Sequence, residues 1–307
     1  MDLTINGANQ QYLADLQLTQ AQIQQAQAQL SSGYRLQRPS DDPAALGQIY
    51  ELQTKIAFNQ QTQKNLNTAQ TELSAADSAL QSSIQALTSA VTLAAQGANS
   101  SYTAAQRANL AIQVQGIQQA LVSLSQTQVN GKYIFSGDQD TQALYELDST
   151  QPNGVKQLVT ATNTRTIQDV NGTAIATART ATAIFDAQDS TGAPIDGNVF
   201  AAVQSLVTAL QNNDTTGIQT ASDAVKSANE YLNGQLAFYG AAENRVADAT
   251  QLAQKFMVQD QTDLGDVQNT DVPTAALALT RAQTQQQAAL AVEAKIQQQP
   301  NLFSLLG

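Results

Sequence analysis

From Ile49 to Ala94 the chain repeats itself every seven residues, and this repeat constrains the fold more than any other feature. One seam reads Leu52, Asn59, Leu66, Leu73, Leu80, Leu87, Ala94, and a second reads Ile49, Ile56, Gln63, Gln70, Asp77, Ile84, Val91. A spacing of seven held over six heptads is the period of a helix that lays one stripe against a partner helix. At 1.5 Å per residue such a helix runs roughly 68 Å. Gln63, Gln70 and Asp77 interrupt the second seam; polar residues there cost stability and either fix register or mark where the seam meets water or a second subunit.

Two further helices carry the same period. Leu110, Ile117, Leu124 with Val114, Leu121 predict one after a loop at Gly97–Ser101. Ile218, Val225, Leu232, Tyr239, Val246 against Ala221, Ala228, Ala242, Ala249, Phe256 predict another, whose alanine side permits close approach. Together these predict a mainly α protein, a long antiparallel coiled-coil-like bundle built from N- and C-terminal arms. The repeat disappears from Gly137 to about Asn198, where VKQLVTAT, TRTIQDV and TAIATARTATAIF lie between the turn signals PNG, VNGT and STGAPIDG. β-branched runs between such turns predict strands and hairpins, so a small β-rich insert interrupts the bundle. The expected divisions are residues 1–42 with 265–307 as terminal helices, 43–136 with 199–264 as the long-helix bundle, and 137–198 as the β-rich insert. The terminal stripes are weak. Leu16, Ile23, Leu30 at one end, and Ala275, Ala282, Ala289, Ile296 beside Ala278, Val292 at the other, are too slight to hold a helix alone in water, so both ends are expected to order on assembly.

Charge narrows the function. Charged residues are 13% of the chain, about half of the roughly 25% usual in soluble domains. Gln, Ser, Thr and Asn take their place, and such faces are wettable yet cheap to desolvate against another protein. This favours a subunit that packs against copies of itself. The net charge of −11 and the lack of any basic run argue against nucleic-acid binding. No apolar stretch approaches the roughly 18 residues of a membrane span. The N-terminus lacks the basic and apolar regions of a cleaved signal peptide, so if the chain leaves the cytoplasm a route without a cleaved signal is expected. With no cysteine and no histidine, thiolate sites, disulfides and the commonest general base are excluded. Asp41-Asp42, Asp138/Asp140 and Asp186/Asp189 lack calcium-loop spacing, and neither a Walker-type loop nor a nucleophile elbow occurs. No catalytic, cofactor or metal site is expected, and the chain is not read as an enzyme.

The densest charge lies in LSSGYRLQRPSDDP, residues 30–43. Gly33 suits the left-handed residue that ends a helix. Pro39 keeps Arg38 extended. Asp42 suits the N-cap and Pro43 the first position of the next helix, with Asp41 also near its positive end and Arg35 and Arg38 placed to balance the pair. The stretch reads as a helix stop followed by a helix start.

LSSGYRLQRPSDDPAALGQI closely resembles the N-terminal signature of the bacterial flagellin superfamily. Its two prolines, Pro39 and Pro43, look more like the hook–filament junction members than the filament flagellins. NGKYIFSG, with Asn130, Gly131, Tyr133, Phe135 and Gly137, is similar to the segment that closes the first helical region of junction members. YGAAENRVADA, with Asn244 and Arg245, resembles the family's returning helix, and NLFSLLG its apolar ending. The resemblance implies that the two ends pair as an inner layer lining an export channel, and that the long helices form the next layer with the β insert facing outward. It implies an extracellular structural adaptor in the flagellum. The implied partners are copies of the chain in a ring or helix, the other hook–filament junction protein, flagellin, an export chaperone and the type III export apparatus. Candidate assembly residues are then Leu13, Leu16, Ile23, Leu30 and Leu290, Ile296, Leu302, Phe303, Leu305, Leu306 in the ends, with Arg35, Arg38, Asp41 and Asp42 at the corner. A filament flagellin and a secreted coiled-coil binding module are the alternatives.

Overall fold

The computed structural model describes residues 2–38, 40–161 and 163–297. The chain is mainly α, with seven helices and three two-stranded antiparallel sheets among the described residues. The helices are α1 (Asp2–Ser32), α2 (Pro43–Ala98), α3 (Ala104–Ser125), α4 (Ala181–Phe185), α5 (Val199–Gln211), α6 (Thr215–Gln268) and α7 (Val272–Gln297). The strands pair as β1 (Gln128–Val129) with β2 (Lys132–Tyr133), β3 (Tyr145–Leu147) with β4 (Val155–Gln157), and β5 (Thr166–Gln168) with β6 (Ala174–Ala176). The chain forms two compact units. One draws on Met1–Phe58 and Phe256–Gly307, the other on Asn59–Lys255.

In the Asn59–Lys255 unit, α2 and α6 run antiparallel. Ser74 donates to Glu243 at 3.0 Å, and the Asn229 amide donates to the Ile84 carbonyl and the Thr88 hydroxyl at 3.2 Å. The leucine seam of α2 is fully buried at Leu66, Leu73, Leu80 and Leu87. The seam that meets it differs from the expected one. Thr62, Ala69, Ala76, Ser83, Ala90 and Gly97 are buried, whereas Gln63, Gln70, Asp77, Ile84 and Val91 lie half-buried beside the seam. Small residues let the neighbouring helices come close. A Cβ added at Gly97 would sit 2.5 Å from Leu210 Cδ2. On α6 the expected seam is buried from Ile218 to Ala249 and then continues through Ala253, leaving Phe256 exposed.

The core extends into the insert. Phe135, Leu144, Tyr145, Val155, Ile175, Ile184 and Phe185 belong to the same buried cluster as the helical seams. Phe135 meets Phe185 and Tyr239 edge-on, and Phe200 lies against Tyr145 and Phe185, with ring centroids 5.1–6.1 Å apart. Such aromatic contacts add about 0.5–1.5 kcal/mol each beyond area burial. Asn130 and Gly131 both have positive φ, 52° and 77°, which makes the β1–β2 turn the type whose twist matches the flanking strands. TATAIF is not a strand. Thr180 caps α4 by accepting from the Ala183 N–H, and Ile184 and Phe185 turn into the core. Helix α5, which no seven-residue repeat announced, buries eight side chains and packs on α3.

Arg107 is the notable buried charge. Its guanidinium donates to the Gly97 carbonyl at 2.7 Å, the Asn99 carbonyl at 2.9 Å and Asn213 Oδ1 at 2.5 Å. The cation thus satisfies the orphan carbonyls at the negative end of α2 and ties them to the α5–α6 turn.

Candidate assembly interface

Helices α1 and α7 pack on each other in the other unit. The inner face of α1 holds Tyr12, Leu16, Thr19, Ile23, Ala26 and Leu30, of which Ile23 and Ala26 are buried. The inner face of α7 holds Ala275, Leu279, Ala282, Gln286 and Ala289, with Ala275 and Ala282 buried. The Tyr12 hydroxyl donates to the Ala289 carbonyl at 3.3 Å. Ala278 and Val292, placed by the sequence on the packed face, are exposed instead. Small residues bring the helices together around Ile23, and several larger apolar side chains are left outside. Leu13, Leu18, Leu277, Leu290 and Val292 are all more than half exposed. Leu302, Phe303, Leu305 and Leu306 lie outside the described residues, as does the side chain of Ile296.

The corner between α1 and α2 is built as its residue types require. Gly33 has φ 75° and gives its N–H to the Gln29 carbonyl at 2.9 Å. A Cβ there would meet nothing within 4 Å, so the backbone angle rather than space calls for glycine. Asp42 Oδ1 accepts from the Ala45 N–H at 3.1 Å, which makes it the N-cap, and Pro43 opens α2. Asp41 Oδ2 accepts from the backbone N–H groups of Gln37 and Arg38 at 2.9 and 2.8 Å. Its partners are therefore main-chain, not the guanidiniums expected to balance it. Arg35 lies 3.6 Å from Asp42 and donates to the Val267 carbonyl at 3.2 Å. The Arg38 side chain instead lines a shallow groove with Gln24, Gln25 and Asp41. Pro39 lies outside the described residues.

Sequence reasoning did not find the partner of this corner. Tyr34 bridges to Asn269 in antiparallel fashion, the Arg35 N–H donates to the Gln268 carbonyl at 2.9 Å, and the Thr270 N–H donates to the Gly33 carbonyl at 2.8 Å. The turn after α1 is thus zipped to the turn after α6. Its only advance signal was polar residues in QNTD between two helical patterns, which marks a turn but not its partner.

The remaining motif residues divide by role. Phe135 anchors the aromatic cluster, and Tyr133 pairs across the hairpin with Gln128. Gly137 has φ 58°, and a Cβ would run into the Asn163 carbonyl. Asn244 and Arg245 face outward on α6, and Arg245 borders a shallow depression with Asp169 and Asp248. Among the described residues no three acidic side chains gather as a metal cluster, and no helix is long and apolar enough to cross a membrane.

Paired terminal helices, a returning long-helix pair and a small insert define the class of structural subunits that build the bacterial flagellum. Residues 4–140 match the bacterial flagellin N-terminal helical region and residues 222–306 the C-terminal helical region, and the chain belongs to the bacterial flagellin family. Within it, the chain is similar to flagellar hook-associated protein 3 of Escherichia coli strain K12, with 28% identity over 235 residues, 74% of this chain and 73% of that protein. It is 30% identical to flagellar hook-associated protein 3 of Salmonella typhimurium over 152 residues, 49% of this chain and 48% of that protein. Its fold is also that of hook-associated protein 3 from Legionella pneumophila, with TM-score 0.60 at 15% identity, covering 71% of this chain and 98% of that structure.

Proposed function

We propose that this chain is a non-enzymatic structural subunit of the flagellum, the adaptor between the preceding hook-associated protein and the flagellin filament. The observation that carries the reading is the α1–α7 pair, which buries alanines and leaves Leu13, Leu18, Leu277, Leu290 and Val292 to solvent. Covering the exposed half of an apolar side chain of this size is worth about 1 kcal/mol. Five of them half exposed give neighbouring subunits a large gain that the single chain forgoes. The similarity to proteins named hook-associated protein 3 directs the reading to the junction rather than the filament.

On this reading, residues 1–42 and 265–307 form the inner layer, and the corner at Arg35, Arg38, Asp41 and Asp42 meets neighbouring subunits. Flagellin and the other junction protein stack axially on the assembly. An export chaperone and the type III apparatus deliver the chain to the outside. Antibody labelling of intact flagella tests this. Label confined to one short zone between hook and filament is expected, and label along the whole filament would refute the junction assignment.

A further inference from the structure

On the Asn59–Lys255 unit, α3 and α5 pack side by side and share one formal charge, Arg107, which is 5% exposed and spent on the end of α2. Their outward residues are Gln, Asn, Ser, Thr, Ala and Gly, together with one large apolar side chain, Ile112, which is 65% exposed. By contrast, α6 carries acidic and basic residues along most of its exposed length. Next to Ile112 lies a groove of about 660 Å³ between α3, α5 and the β3–β4 hairpin, bordered by Gln115, Gly116, Gln119, Leu147 and Gln211. Leu147 is also exposed, and Gly116 leaves open space where a side chain would stand. The charges nearest the groove are on the hairpin: Asp148, which accepts from the Thr150 N–H and hydroxyl at the rim, and Glu146 and Lys156, which pair with each other at 3.0 Å.

We propose that this α3–α5 face docks a second copy of this chain, laterally, with Ile112 as its apolar anchor; the inference rests on the flagellar reading above. The occupant follows from charge. Each copy carries −11, so two copies repel wherever charged faces meet, and this charge-poor face, with Asp148 only at its rim, is where they approach at least cost. Each glutamine offers both donors and acceptors, so an amide face is complementary to another amide face. A strongly charged partner would leave its charges desolvated here with nothing to pair them. A charge-poor surface is what this chain itself supplies, with 13% charged residues overall.

The chain contains no cysteine, so a single one introduced at Ile112→Cys reports cleanly. A benzophenone maleimide attached there is illuminated in intact flagella, with Asp223→Cys on the charged, exposed face of α6 as control. The expected result is an adduct of twice the 32.5 kDa chain mass from position 112 and none from 223. An adduct with a different flagellar chain, or no adduct, overturns the proposal and leaves the flagellar reading standing. Absence of the chain from flagella overturns both.

Discussion

Aspartate at Ile23 and aspartate at Leu13 lie within three turns of each other on α1 yet should fail for different reasons. Ile23 is 9% exposed against α7, and its burial contributes about 2–3 kcal/mol. The other buried groups of that seam are the methyls of Ala26, Ala275 and Ala282, about 0.8 kcal/mol each. Ile23 is therefore the largest buried side chain of the seam, and Ile23→Asp also forces a carboxylate out of water. The α1–α7 pair should separate. The core at Leu66, Leu73, Leu80 and Leu87 belongs to the other unit and should be untouched. Leu13 is 54% exposed, so Leu13→Asp should change the stability of the isolated chain by less than about 0.5 kcal/mol. Urea unfolding followed by circular dichroism separates the two. Ile23→Asp should lose helical signal before the main transition, whereas Leu13→Asp should superimpose on the unmodified chain. Both should fail to restore motility to cells lacking the native chain. If Leu13→Asp assembles and swims normally, the outer face of the terminal helices is not an interface and the reasoning fails.

Arg107→Met should leave the Gly97 and Asn99 carbonyls and Asn213 Oδ1 without their donor, costing about 3–5 kcal/mol in urea unfolding; Arg107→Lys, with one ammonium for three acceptors, should recover only part of it. Gly137→Ala meets both a positive φ and the Asn163 carbonyl, whereas Gly131→Ala meets the positive φ alone. The second should cost about 1–2 kcal/mol and the first clearly more, and equal losses would show that the space around Gly137 is not tight. Burial pushes the Tyr239 hydroxyl up to about 12 and raises Tyr145 as well. Because both values lie above that of an unfolded tyrosine, about 10, the stability they contribute is complete below pH 10 and is lost as pH rises toward 12. Spectroscopic titration should show two of the eight tyrosines ionising late, together with loss of helical signal. Normal titration of all eight would contradict the burial.

The corner at residues 30–43 was legible in outline because its chemistry is local. A left-handed glycine, an N-cap aspartate and a first-turn proline act within a few residues, and each stands where its type requires. Asp41 was misread because two backbone N–H groups compete with any guanidinium, and sequence proximity cannot rank them. The bridge from Tyr34 to Asn269 spans most of the chain and depends on main-chain atoms, which every residue type carries alike. The outward turn of Leu13 and Leu290 was invisible for a related reason. The terminal stripes are weak, and only the partner helix decides which face is inside.

By itself, the sequence determined the helical periods, the turns at Asn171-Gly172 and Gly33, the buried leucines of α2, the low surface charge and the absence of thiol and imidazole chemistry. These follow from backbone geometry and composition, which act locally or in sum. Tertiary structure alone decided that Ala69, Ala76, Ser83, Ala90 and Gly97 complete the α2 seam in place of Gln63, Gln70 and Asp77. It also decided that Arg107 is buried, and that the insert shares the helical core. The physical reason is that small residues carry little hydrophobic signal. Their contribution is closeness, and closeness exists only once Leu210 and its neighbours have arrived on the other side.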